Sequence, residues 1–141
     1  VMETVGEIGE KLVQQWLTSK NWRILKHRWR SRFGEIDLIA LPESNHSLAF
    51  IEVKTRSYNN WDEDGLLAIN YQKQVKLTQT AMYFIAKYPK YSDFNCRFDV
   101  VLVHYQKNQS QFSDVTKSSL IWQDNYFQIQ DYLENAFEVQ F

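Results

Sequence analysis

Three charged residues on two neighbouring segments of the sequence could together bind a divalent metal ion. Asp37 lies in segment 34–40, and Glu52 and Lys54 lie in segment 50–56. Both segments are apolar and rich in β-branched residues, which predicts two strands, and the turn-forming residues between them predict an antiparallel hairpin. In that hairpin Asp37 faces Glu52. Because two facing carboxylates repel each other unless a cation lies between them, the pattern indicates a metal site with Lys54 beside it.

The hairpin alone leaves a second interpretation open. Glu35, Asp37, Glu52 and Lys54 would also form an ordinary solvated sheet face of alternating charge. A shift of one residue in the pairing register would move Asp37 to the face opposite Glu52. The surrounding elements therefore have to decide between a metal site and a solvated surface.

Composition and cysteine content bound the class of protein. The chain has 141 residues, is 44% hydrophobic and 16% aromatic, and contains only four Gly and two Pro, which predicts a single globular domain, 1–141. The lone Cys96 excludes an intramolecular disulfide and a cysteine-based zinc cluster, and it favours a reducing, cytoplasmic compartment. No apolar run has transmembrane length and no signal-peptide pattern is seen, so no membrane partner is expected.

Basic residues are concentrated near the start of the chain, although the formal net charge is only −1. Residues 110–141 carry a balance of −4, which leaves +3 for the remainder. The segment 22–33 is predicted to be a strand that carries four cations on one side at alternate positions: Lys26, Arg28, Arg30 and Arg32. Such a row suits a nucleic-acid backbone, and it equally suits the protection of an exposed sheet edge.

Helical periodicity and further apolar runs predict the remaining elements. Residues 3–19 form a helix with Glu10 at the edge of its apolar stripe, where it can approach the sheet or remain an ordinary flanking carboxylate. A second helix spans 70–88, with Lys73 at the margin of its stripe, and a buried strand spans 96–105. The loop 57–65 is a substrate-contacting flap or only a connection.

The last part of the chain has a weaker pattern. Residues 118–122 are predicted to be a short strand. Residues 124–137 are predicted to be a short strand followed by a helical tail, because Ile129, Leu133 and Phe137 are spaced like a helix face.

The order of elements resembles the core of the PD-(D/E)XK nuclease superfamily, the restriction-endonuclease-like fold. That order is helix, three strands, helix, strand, with Asp37 on the second strand and Glu52-x-Lys54 on the third. More narrowly, the chain looks like the YraN family of small bacterial proteins. The matching pieces are Gly6-x-x-Gly9-Glu10, Gly34-Glu35-Ile36-Asp37-Leu38-Ile39, Phe50-Ile51-Glu52-Val53-Lys54-Thr55-Arg56, Lys73-Gln74 and Arg97-Phe98-Asp99-Val100-Val101.

The resemblance implies a fold and a set of residue roles. The fold is an α/β/α core at about 3–105 with a mixed central sheet, followed by a C-terminal extension, 106–141. The roles, implied by matching positions, are metal binding by Asp37, Glu52, Glu10 and the main-chain carbonyl of Val53, and catalysis by Lys54 together with the three acids. The implied cofactor is Mg²⁺ or Mn²⁺. Ile36 replaces the proline of the superfamily's name, and the last 35 or so residues match no part of the pattern.

The implied function is a metal-dependent DNA endonuclease that hydrolyses phosphodiester bonds, with structure selectivity like that of the Holliday-junction resolvases as one form. Flanking phosphates would be contacted by Arg56, Lys73, Lys26, Arg28, Arg30 and Arg32. A symmetric homodimer would present two such sites to two strands. Two alternatives remain. One is a nucleic-acid-binding accessory protein that keeps the fold but cuts poorly or not at all, and the near-zero net charge favours it. The other is a structural partner in a larger assembly that uses the acidic aromatic tail as its contact.

Overall fold

A computed structural model describes residues 3–43, 46–58, 68–108 and 115–138. Residues 59–65 of the predicted flap lie outside the described residues. The elements, in chain order, are α1 (Val5–Ser19), β1 (Arg23–Ser31), β2 (Gly34–Leu41), β3 (Ser47–Ser57), α2 (Tyr71–Lys87), a 3₁₀ turn (Pro89–Tyr91), β4 (Asn95–Lys107), β5 (Ser119–Trp122) and β6 (Asn125–Phe137).

The six strands form one mixed sheet in the order β1-β2-β3-β4-β6-β5. Only β3 and β4 are parallel, and α2 makes the crossover between them. One core cluster packs α1 against the sheet, around Leu12, Val13 and Leu17, and a second packs α2 against the other face, around Leu77, Ala81 and Phe84. The predicted α/β/α class and the order of core elements are therefore confirmed.

The predicted hairpin register is confirmed where the strands pair. Ile39 lies opposite Phe50, and the pairing of β2 with β3 ends at Leu38 and Ile51. Ile36 lies beyond that last pair and packs in the α2 cluster, whereas simple alternation places it on the α1 side with Leu38. The two strands thus stop pairing one residue before the acidic side chains.

The row of cations predicted on one side of β1 is wrong, because β1 does not alternate regularly. Its register with β2 shifts between Ile24 and Lys26, and Arg28 adopts a left-handed backbone with φ of 53°. Lys26 consequently lies over the ring of Tyr88, after α2, whereas Arg28 reaches α1 on the opposite face. Nucleic-acid binding by the individual cations stays a prediction.

The predicted helical tail is also wrong, because residues 125–137 form the single strand β6. It pairs with β4 from Phe98 to Lys107, a stretch that would otherwise be left as an unpaired edge. Register shifts interrupt this pairing at two places, and Asn135 has a φ of 55°. These irregularities break strand alternation and leave the apolar residues at a spacing that resembles a helix face. Within the described residues, no helix combines the length and apolarity needed to cross a membrane.

Candidate active site

The end of the β2–β3 ladder holds the two acidic residues predicted to bind metal. The main-chain N–H of Val53 donates a hydrogen bond of 2.7 Å to Oδ2 of Asp37. This contact fixes Asp37 against β3 at the point where regular pairing has ended. Glu52, on β3, is close enough to raise the pKa of Asp37 by charge repulsion. The structure therefore brings Asp37 and Glu52 together, as the hairpin register predicts.

The surroundings of Asp37 disfavour its ionised form. Desolvation and then repulsion by Glu52 raise its pKa to about 7, and the Val53 hydrogen bond and the Lys73 charge oppose that shift. Asp37 therefore exchanges its proton near neutral pH. A divalent cation at this position would remove the repulsion and favour both ionised forms.

The ammonium group that contacts the acidic pair belongs to Lys73, which the motif pattern treats as peripheral. Lys73 Nζ lies 2.8 Å from Glu52 Oε1, and Glu52 is mostly buried, with 14% of its side chain exposed. Lys54 Nζ instead donates to the carbonyl of Ala68 at 2.6 Å. The catalytic role of Lys54 stays a prediction, whereas Lys73 is the lysine that this arrangement places on Glu52.

Glu10 is buried and held by two partners from β1. His27 Nε2 lies 2.9 Å from Glu10 Oε1, and Arg28 donates from Nε at 2.8 Å and from Nη2 at 3.3 Å. The hydrogen bond to Glu10 raises the pKa of Arg28. Sequence reasoning missed these two partners, because strict alternation puts His27 and Arg28 on opposite faces. The left-handed Arg28 backbone, which brings both side chains to α1, has no signal in the sequence.

Gly9 explains how α1 comes close enough to deliver Glu10. A Cβ on Gly9 would lie 2.0 Å from Oγ1 of Thr55 on β3, which is a severe overlap. Only a residue without a side chain permits this approach of helix to sheet. Gly9 thus allows α1 to pack close to β3, and the next residue, Glu10, contacts β1.

The fit to a metal ion is good for two carboxylates and poor for three. Among the described residues, no group of three His, Cys, Asp or Glu side chains is arranged to hold a metal ion. Glu10 is turned towards His27 and Arg28. Asp37 and Glu52 remain as two adjacent oxygen donors, the type that Mg²⁺ and Mn²⁺ prefer. The predicted carbonyl contribution of Val53 stays a prediction.

The other predicted nucleic-acid contacts are scattered. Arg56 Nη1 donates to the carbonyl of Thr55 at 3.0 Å. Arg30 forms an ion pair with Glu35, and Arg32 lies 4.9 Å from the ring centroid of Phe33. These cations therefore do not converge on one phosphate position in this structure.

Comparison with known proteins places these residues in a family context. A family model described as "Uncharacterised protein family UPF0102" matches residues 9–103, which include Glu10, Asp37, Glu52 and Lys73. The chain is 42% identical to a UPF0102 protein of Synechocystis sp., with 96% of this chain and 99% of the relative covered. It is 46% identical to one of Acaryochloris marina (94% and 89%) and 44% identical to one of Trichormus variabilis (95% and 94%).

Proposed function

We propose that this chain, which belongs to the UPF0102 (YraN) family, is a metal-dependent nuclease that hydrolyses phosphodiester bonds, with DNA as its substrate. The observation that carries the proposal is the Asp37–Glu52 pair. Desolvation and the neighbouring Glu52 charge raise the pKa of Asp37, and groups perturbed in this way are concentrated at functional sites. A purely structural sheet has no need of that repulsion.

Asp37 and Glu52 would hold Mg²⁺ or Mn²⁺. When bound, such an ion lowers the pKa of a coordinated water and offsets charge on a phosphate oxygen. The chain itself provides orientation, because the N–H of Val53 fixes one oxygen of Asp37. Lys73 neutralises Glu52 and, with its side chain half exposed, can hydrogen-bond a phosphate oxygen of the substrate.

Lys54 and Glu10 take supporting roles in this proposal. Lys54 follows Glu52 by two residues on the same strand, so its side chain starts from the same face of the sheet as Glu52, and in this proposal its ammonium contacts a substrate oxygen. Glu10 is close enough to raise the pKa of Asp37, and its ion pair with Arg28 offsets part of the negative charge at the site.

The test is metal binding and cleavage by matched variants. Calorimetry with Mn²⁺ and Mg²⁺ should detect binding in the wild type that is lost in the double variant Asp37→Asn, Glu52→Gln. Linear, nicked and four-way DNA should be cut only with metal, by the wild type and by the control variant but not by the double variant. Asp131→Asn removes an exposed carboxylate on β6 and is the control. No metal binding and no cutting by the wild type would refute the nuclease assignment.

The resemblance to Holliday-junction resolvases extends the proposal to branched DNA and a symmetric homodimer, since a two-fold dimer carries one site for each of two strands. Light scattering is the check on assembly. A species of 16.9 kDa alone, together with equal cutting of linear and four-way DNA, would contradict this extension.

A second candidate is a nucleic-acid-binding accessory protein without cleavage. The observation that favours it is the engagement of two of the three acids, Glu52 by Lys73 and Glu10 by Arg28. The calorimetry separates the candidates, because the accessory protein would bind DNA without binding metal.

A further inference from the structure

Helix α2 carries an unusual charge pattern. It contains three lysines and no acidic residue, and Lys73 and Lys76 lie in its first two turns. Positive charge near the amino end of a helix opposes the helix dipole and does not stabilise the helix. Lys73 is compensated by Glu52. In the described part of the chain no carboxylate forms an ion pair with Lys76, whose side chain is exposed.

A groove runs between these lysines and the turn that joins β1 to β2. A cavity of 120 Å³ is lined by Lys73, Lys76 and Thr80 of α2, by Phe33 of the turn, and by Gly34 and Glu35 at the start of β2. A wider cavity of 530 Å³ continues along Asn70, Gln72 and the same two lysines. Both cavities therefore share Lys73 and Lys76, and Lys73 connects them to the acidic pair.

The wall opposite the lysines lies close to α2, and the charge of its acidic residue is neutralised by an ion pair. Gly34 has a φ of +148°, and a Cβ there would lie 3.5 Å from Thr80 Oγ1, so the turn approaches α2 closely. Glu35, the acid in this wall, is paired with Arg30. The groove thus has an excess of positive charge from the helix side.

We propose that this groove binds the sugar–phosphate backbone of a nucleic-acid strand, with Lys76 contacting a phosphate that flanks the one at Asp37 and Glu52. The site deepens the proposed function and rests on it for the position of the scissile phosphate. Charge complementarity and continuity with the acidic pair carry the assignment. Lysines act as point charges on phosphate without reading sequence, so binding is salt-dependent and indifferent to base identity.

The test uses fluorescence anisotropy of a fluorescein-labelled oligonucleotide, single-stranded and duplex, in EDTA. The quantity compared is the salt slope, the slope of the logarithm of the binding constant against the logarithm of the salt concentration. Each phosphate contact contributes about 0.7 to its magnitude for single strands and about 0.9 for duplex. Lys76→Gln should lower the slope by about that amount and weaken binding several-fold, and Lys76→Arg should restore both. The control is Lys87→Gln, which removes the same charge about 16 Å away along the same helix and should leave the slope unchanged.

Several results would overturn the inference. These are equal losses for Lys76→Gln and Lys87→Gln, an unchanged slope for Lys76→Gln, no measurable binding by the wild type, or displacement of the oligonucleotide by poly-glutamate at equal charge concentration. Because binding is measured without metal, failure here leaves metal-dependent cutting untouched. Failure of cutting, with a Lys76-dependent slope intact, would leave the groove as the site of an accessory protein.

Discussion

Asp37→Asn should remove a specific pH dependence from the stability of the fold. Asp37 has a pKa of about 7 in the folded chain against an ordinary value of 3.8. The folded state holds the Asp37 proton more tightly than the unfolded state does. The contribution of this proton to the free energy of unfolding is therefore fully present below pH 4 and is lost as the pH rises through 7. At about 1.4 kcal/mol per pKa unit, this shift costs about 4 kcal/mol above pH 7. Asn keeps the shape, accepts the Val53 N–H and carries no charge.

The assay is urea unfolding of wild type and Asp37→Asn at a series of pH values between 4 and 8. Subtracting the free energy of unfolding of the wild type from that of the variant at each pH cancels the contributions of all groups that the substitution does not affect. The free energy of unfolding of the variant should approach that of the wild type at pH 4 and exceed it by up to about 4 kcal/mol at pH 8. Parallel curves would refute the electrostatic account of the acidic pair.

Saturating Mn²⁺ provides a second arm of the same experiment. A ligand that binds only the folded state stabilises it by about 2.7 kcal/mol at one hundred times its dissociation constant. Mn²⁺ should therefore stabilise the wild type most at high pH, where Asp37 is ionised, and should not stabilise Asp37→Asn. Equal stabilisation of both proteins would place the metal elsewhere.

Three further predictions concern the contacts around the site. Gly9→Ala should destabilise the fold by about 1–3 kcal/mol through overlap with Thr55, measured by urea unfolding. Thr55→Ala should restore part of this loss, because it removes the Oγ1 and Cγ2 overlaps but leaves the Cβ of residue 55 at 3.1 Å. Gly6→Ala, whose Cβ would lie 3.8 Å from Thr4 Oγ1, should be tolerated. In the wild type the ammonium of Lys73 competes with a metal ion for Glu52, through a partly exposed ion pair. Lys73→Gln removes this competition and should tighten Mn²⁺ binding up to about fivefold in calorimetry. Weaker binding by the variant would contradict this account. Tyr132→Phe should cost about 1–3 kcal/mol of unfolding free energy, since its hydroxyl donates to the buried Asp99 at 2.6 Å, and Tyr105→Phe is the comparison.

The parts of the fold that follow from sequence are those in which local pattern and tertiary pairing agree. The predicted hairpin register puts Ile39 opposite Phe50, and just beyond the last pair, Leu38 and Ile51, it brings Asp37 close to Glu52. Helix α2 begins after Asn70, whose side chain accepts from the N–H of Lys73, as turn and cap preferences predict. These features depend on neighbours in the chain.

The parts that sequence could not provide depend on backbone exceptions and on side-chain reach. Period-two alternation puts Lys26 and Arg28 on one face, but the left-handed backbone of Arg28 separates them. β6 has the spacing of a helix, and it is a strand because β4 offers an edge to pair with. Motif position identifies Lys54, but its ammonium reaches Ala68, and Lys73 from α2 reaches Glu52.

Basic residues on both faces of the sheet compensate the acidic residues around the site. On the α1 side, Arg28 and His27 hold Glu10, and on the α2 side Lys73 holds Glu52. Asp37 lies between them without an ion pair among the described residues, and it has the raised pKa. Repulsion is therefore relieved at Glu10 and Glu52 and concentrated on one carboxyl. Because that carboxyl gains most from an added cation, Asp37 should determine metal affinity, and Lys73 should determine how readily Glu52 joins it.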